Sequence, residues 1–136
     1  TGCQRAISEL WMDPRMTFGL LNELAVYLTL MELKDLGFKR VEANISRWFP
    51  HSIGHHLGLD LHDSTDDDQM RLLVPGNVIT IEPGLYIPIN DLDAPEEFRG
   101  LAIRIEDDFV IEESGLLTNL TEKVPKTISD IEALMK

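Results

Sequence analysis

The four histidines of this chain all fall between positions 51 and 62, in the stretch HSIGHHLGLDLHD. Imidazole can act as a metal ligand, a general base or a proton donor near neutral pH, so this density calls for a chemical reading. His51 and His55 stand four apart, the spacing by which a zinc-peptidase helix presents two ligands on one face. A helix does not fit here. The glutamate that such a motif carries beside its first histidine is absent, and Pro50 precedes the segment. Gly54 and Gly58 lie inside it, each costing about 1 kcal/mol in a helix. An extended or irregular path is expected, with glycines that let the backbone pass close to a ligand or to another strand.

Two further stretches carry carboxylates on strand patterns. NVITIEPG and LAIRIEDDFVI are rich in β-branched residues and bounded by Gly or Pro. With a period of two, Val78, Thr80 and Glu82 share one face, opposite Ile79 and Ile81. By the same rule Ala102, Arg104, Glu106 and Asp108 share a face, opposite Ile103 and Ile105. Each strand should bury its isoleucines and present a glutamate. If the strands are neighbours, Glu82 and Glu106 converge with Arg104 beside them. Two such carboxylates repel unless something positive lies between them. Arg104 would serve, in an ordinary ion pair. A divalent cation completed by an imidazole would also serve. Oxygen-rich ligation with one nitrogen suits Mn2+, Zn2+, Co2+ or Fe2+ better than a soft metal. Spacing leaves both readings open.

The elements that must position these groups can be sketched. CQRAISELW reads as the end of a helix, broken by MDPRM. From Thr17 a helical pattern runs through Leu20, Leu21, Leu24, Leu28 and Met31, a stripe read as core, to a C-cap at Gly37. Residues 38–50 read as a loop leading to the histidines. Residues 66–76 and 88–100 read as acidic, proline-containing loops, and DDD at 66–68 as solvated. Near the end, SDIE reads as a capping box with Ser129 as cap, opening a short helix over about 129–135. There is no internal repeat and no sign of a second domain.

The chain has 136 residues, of which 43% are hydrophobic, enough for one packed domain. Its formal net charge of −12 argues against a nucleic-acid binder, which needs a basic face for phosphates. No apolar run approaches the ~18 residues of a membrane span. A single cysteine, Cys3, excludes an internal disulfide and fits a reducing compartment. No targeting segment is visible.

HSIGHHLGLDLHD, VITIEPGLYI and IRIEDDFVI, in this order and at these separations, resemble three consecutive signatures of the pita-bread metallopeptidases, aminopeptidase P branch. The resemblance runs over nearly the whole chain. IPINDLDAPEEFRGLAIRIEDD and KTISDIEALM are similar to the subgroup of mitochondrial Xaa-Pro aminopeptidases and intermediate-cleaving peptidases. The resemblance implies an α+β fold, the C-terminal half of a pita-bread domain, with a curved antiparallel sheet packed by helices. Residues 1–136 would be the C-terminal part of a catalytic domain. It implies His55, Glu82 and Glu106 as metal ligands, with Glu82 also relaying protons and Glu106 bridging two cations. His51 and His62 resemble histidines that contact substrate and stabilise the intermediate, and Arg104 resembles a residue that orients the site. His56 matches no family role and is expected to be exposed.

The implied cofactor is a pair of divalent ions, Mn2+ first, with Zn2+ or Co2+ as alternatives. The implied reaction is hydrolytic removal of the N-terminal residue of a peptide or protein by a hydroxide held between the ions. Two metal-binding aspartates of the family precede the stretch that matches Thr1, so the fragment alone is expected to be inactive. Expected partners are substrate N-termini, the upstream half of the enzyme and a second copy in a homodimer. The subgroup implies a mitochondrial location, with a cytoplasmic one as the alternative. Two other functions are compatible with these motifs: a prolidase-type dipeptidase, and a retired pita-bread module that binds peptides. Retention of His55, Glu82 and Glu106 favours the enzyme.

Overall fold

The computed structural model describes residues 15–63 and 69–136, and among these Thr17 opens the first helix, α1 (Phe18–Asp35). Its hydroxyl accepts from the Leu20 N–H at 3.2 Å, satisfying a donor that the first turn leaves orphaned. Phe18, Leu21, Ala25, Thr29 and Leu33 form the buried face. The expected stripe is therefore rotated: Leu21 is fully buried and Leu24 and Leu28 flank the core, but Leu20 and Met31 are exposed. Alanine and threonine supply the close-packing positions that a count of large apolar residues passes over. The helix ends as the glycine suggests. Gly37 has φ +85°, the Gly37 N–H reaches the Lys34 carbonyl and the Phe38 N–H reaches that of Leu33. That is a Schellman cap, sealed by contact between Leu33 and Phe38 in one apolar cluster.

Residues 38–50 are not a loop. Helix α2 (Val41–Trp48) occupies most of them. Its start carries no side-chain cap: Arg40 sits there in the left-handed region at φ 49°. Tertiary contacts hold it. Trp48 is fully buried, its indole N–H donates to the Asp91 carboxylate at 2.6 Å, and Arg47 donates to the same oxygen. Asn44 and Arg40 both donate to Asp93. The acidic loop after residue 88 thus clamps α2.

Among the described residues five antiparallel strands follow: β1 (Val78–Ile81), β2 (Gly84–Tyr86), β3 (Ala102–Arg104), β4 (Asp107–Ile111) and β5 (Leu117–Asn119). They form a sheet in the order β1-β4-β5 and a ribbon β2-β3. The expected strand over 102–108 is therefore two strands with a break at Ile105 and Glu106. The register nevertheless carries through the break. Ile81 faces Asp107 and Gly84 faces Arg104, so Glu82 stands opposite Glu106 and Pro83 opposite Ile105. The Ile105 N–H bonds the Pro83 carbonyl across it. The two pieces make one ladder, interrupted at these two pairs.

Ile79 and Ile81 are fully buried against α1, beside Phe109 and Ile111. Each such side chain contributes about 1.5–3 kcal/mol. Ile103, expected to be buried, is 59% exposed. It lies on the ribbon beyond the break, over an apolar hollow lined by Leu36, Leu85 and Ile105. A short 3-10 turn at Glu96–Phe98 is the regular part of the 88–100 loop. The last helix, α3 (Ile128–Leu134), starts from Thr127 rather than Ser129, with the Thr127 hydroxyl accepting from the Asp130 N–H. The α+β class holds. The helix expected in CQRAISELW, Cys3 and the DDD run lie outside the described residues. Among the described residues, no helix is long and apolar enough to cross a membrane.

Candidate metal centre

The histidine segment takes the extended path that its glycines allow. It runs antiparallel to β1: the Glu82 N–H bonds the Ile53 carbonyl at 2.8 Å, Thr80 bonds His55 at 2.9 Å, and Leu57 bonds Val78 at 3.0 Å. Gly54 permits this approach, since a Cβ there would lie 1.9 Å from the Thr80 carbonyl oxygen. Alternation then sorts the side chains. His55 turns to the Glu82 face, while His56 is buried with its ring edge-on to Phe18 at 5.1 Å. His56 is therefore a core residue and not the exposed one expected.

His55, Glu82 and Glu106 each offer a ligand atom, and these atoms lie within 4.8 Å of one another. His55 Nδ1 is 2.9 Å from the His56 carbonyl oxygen, which can only accept. Nδ1 therefore carries the proton, and in the neutral ring Nε2 keeps its lone pair. That Nε2 lies 3.3 Å from Glu82 Oε1. Two electron-pair donors at this distance need a proton or a cation between them. The other Glu82 oxygen is 3.6 Å from Arg104 Nη1. Burial pushes the Glu106 carboxyl above its ordinary range, and the Glu82 and Asp108 charges add to the effect; His55 and Arg104 oppose it. An imidazole nitrogen with its lone pair exposed and two carboxylates held against their mutual repulsion fit a divalent cation.

The remaining predicted residues surround this group. His62 is exposed, its ring edge-on to His55 with centroids 4.4 Å apart. Arg104 donates from Nε to the Tyr86 hydroxyl at 2.8 Å. The Tyr86 ring packs edge-on to His51 at 5.5 Å, and Phe49 holds the other side of His51 at 5.1 Å. His51 donates from Nδ1 to the Ser52 carbonyl at 2.8 Å. Its Nε2 is buried and finds no hydrogen-bond partner among the described residues. His51 thus joins the site through Tyr86 and Arg104 rather than through His55, Glu82 and Glu106.

Residues 3–113 match the family model of metallopeptidase family M24. The chain belongs to metallopeptidase family M24. It is 45% identical to rat Xaa-Pro aminopeptidase 3 over 122 residues, covering 85% of this chain and 24% of that protein. It is 46% identical to yeast intermediate cleaving peptidase 55 over 117 residues, covering 85% and 22%. Among solved structures, Zn-substituted Escherichia coli aminopeptidase P in complex with product matches with a TM-score of 0.83 and 38% identity, over 98% of this chain and 32% of that one. The chain thus spans about a quarter of the curated relatives and a third of that structure. The α+β fold is that of the corresponding part of aminopeptidase P.

Two residues of this M24 chain were passed over in the sequence. Thr80 accepts from the His55 N–H at 3.1 Å and donates to Glu82 Oε1 at 3.1 Å. Tyr86 links Arg104 to His51. The period-two alternation that selected Glu82 places Thr80 on the same face, so that signal was present. Tyr86 carried no comparable signal, because its contacts depend on the opposite strand.

Proposed function

We propose that this chain is the C-terminal part of the catalytic domain of a metal-dependent aminopeptidase. Its substrates would be peptides or proteins of the Xaa-Pro or processing-intermediate type. The observation that carries the reading is the convergence of one ligand atom each from His55, Glu82 and Glu106 within 4.8 Å, in a member of a metallopeptidase family. His55, Glu82 and Glu106 would hold divalent cations, Mn2+ first, with Zn2+ or Co2+ as alternatives; a complete two-ion site needs carboxylates from outside this chain. When bound, such ions lower the pKa of water and polarise a carbonyl.

The chain's own residues would do the rest. Glu82, with one oxygen facing His55 and the other facing Arg104, takes the proton of the attacking water and returns it to the leaving amine. Arg104, 3.6 Å from that carboxylate, orients it. His62, on the open side of His55, donates to the oxygen of the scissile carbonyl as its charge develops. His51 lines the adjoining wall and fixes the substrate. A mitochondrial setting is supported by the similarity to Arabidopsis intermediate cleaving peptidase 55, whose name specifies that organelle, at 44% identity over 122 residues.

The test uses the complete enzyme, Mn2+ and a peptide with proline in second position. Glu106→Gln should abolish release of the first residue. Glu82→Gln should lower kcat by about 100-fold or more, as expected for loss of a proton relay. A wild-type protein that binds Mn2+ and peptide without cleaving it would refute the enzymatic reading.

A further inference from the structure

In a regular antiparallel ladder the His55 N–H would bond the Thr80 carbonyl, because the Thr80 N–H already bonds the His55 carbonyl at 2.9 Å. It bonds the Thr80 hydroxyl instead, at 3.1 Å. The close approach at Gly54 explains the exchange: the chain passes tight against the Thr80 carbonyl, so the side-chain oxygen replaces the main-chain one. A hydroxyl has one proton and two lone pairs. Having accepted from His55, it has its proton left to donate, and that proton goes to Glu82 Oε1 at 3.1 Å. This is the same oxygen that stands 3.3 Å from His55 Nε2. Thr80 is 2% exposed, so water does not replace either bond.

We infer that Thr80 is a positioning residue for cation binding: one hydroxyl ties the backbone of the histidine ligand to the carboxylate of the glutamate ligand. It fixes the distance between the two donors and the rotation of the Glu82 carboxylate before a cation arrives. The inference rests on the metal-centre reading given above. Without the hydroxyl, Glu82 can swing toward Arg104, and the His55 N–H loses its acceptor. Groups that orient ligands in this way are typically worth 10–100-fold in metal affinity.

The test is calorimetric titration of the complete, metal-stripped enzyme with Mn2+ alone, beside thermal melts of the same metal-free proteins. Thr80→Val keeps the shape and removes the hydroxyl; it should weaken Mn2+ binding by about 10–100-fold. Thr80→Ser keeps the hydroxyl and should stay within roughly threefold of wild type. A lower melting temperature for Thr80→Val with unchanged Mn2+ affinity would mean a merely structural role and overturn the inference. Equal weakening in Val and Ser would also overturn it. Should Thr80→Val not fold, Thr80→Cys decides, since its thiol is only a weak donor: a loss of affinity is expected, and wild-type affinity overturns the proposal. His55→Ala and Glu82→Gln in the same titration separate the two levels. If they bind Mn2+ as wild type does, the metal-centre reading falls and the inference with it. If they lose the ion while Thr80→Val does not, only the inference falls.

Discussion

Gly84→Ala tests the arrangement around His51 more sharply than replacing the histidine, because it alters geometry and leaves every functional group in place. A Cβ at position 84 would lie 2.7 Å from His51 Nε2 and 2.9 Å from the Tyr86 hydroxyl. Ordinary contacts begin near 3.4 Å, so the imidazole must retreat by about 0.7 Å and the phenol by about 0.5 Å. Neither is free to do so. His51 is held by its bond to the Ser52 carbonyl and by edge contacts with Phe49 and Tyr86. Tyr86 is held by Arg104. Overpacking of this kind costs about 1–3 kcal/mol of stability. A misplacement approaching 1 Å at a substrate-positioning group costs about 100-fold in activity. The control is Gly76→Ala. Gly76 has a positive φ, +87°, with open space around it, so alanine there should cost about 1–2 kcal/mol through backbone strain and no activity. The assay is kcat/KM on a peptide with proline in second position, with a denaturant melt of each variant. Full activity in Gly84→Ala would refute the role given to His51 and Tyr86. Equal losses of activity in the two variants would show that the effect is one of stability alone.

Three further outcomes are expected. Lys126→Met should destabilise the protein by about 3 kcal/mol in urea melts, because Lys126 neutralises the buried Asp107 at 2.7 Å while donating to the Thr121 and Val124 carbonyls; a change below about 1 kcal/mol would contradict the clamp. Asp91→Ala should also cost about 3 kcal/mol, since it orphans the buried Trp48 indole N–H and releases Arg47; native-like stability in the same melts would show that α2 stands without the loop. Because the Glu106 carboxyl is raised above its ordinary 4.5, its contribution to the metal-free protein is full below that value and fades as pH rises through the raised one. Glu106→Gln, which cannot ionise, should therefore flatten the decline in stability as pH rises above the ordinary carboxyl value of 4.5; a steeper decline than wild type would contradict the assigned cause.

Which of these groups the sequence revealed depended on whether the information was local. Period-two alternation is a property of the chain itself, and it placed Thr80 and Glu82 on one side of β1 with Ile79 and Ile81 on the other. Helix α1 was legible for the same reason, from its Thr17 cap to the Gly37 terminus. Helix α2 was not, because its start has a left-handed Arg40 without a capping side chain, and its strongest tether is Asp91, far along the chain. The break between β3 and β4 was equally invisible. Alternation runs through Arg104, Glu106 and Asp108 without interruption, and only the partner strand shows where the ladder breaks.

That break is where the proposed chemistry sits. Glu82 and Glu106 face one another as one of the two pairs that the ladder leaves outside its regular strands. Two carboxylates on adjacent strands of a flat, fully paired sheet would repel without relief. At this break in the ladder a carboxylate oxygen of each lies within 4.8 Å of His55, as the proposed cation site requires. Past the same break Gly84, Tyr86 and Arg104 lie on the ribbon, which brings His51 into reach of the site by way of Tyr86. Regular alternation thus builds the support up to Ile81 and from Asp107 onward, and the two carboxylates of the proposed metal site occupy the short interval between. A strand pattern read from sequence identifies the support on either side, and the interval itself emerges only when both strands are paired.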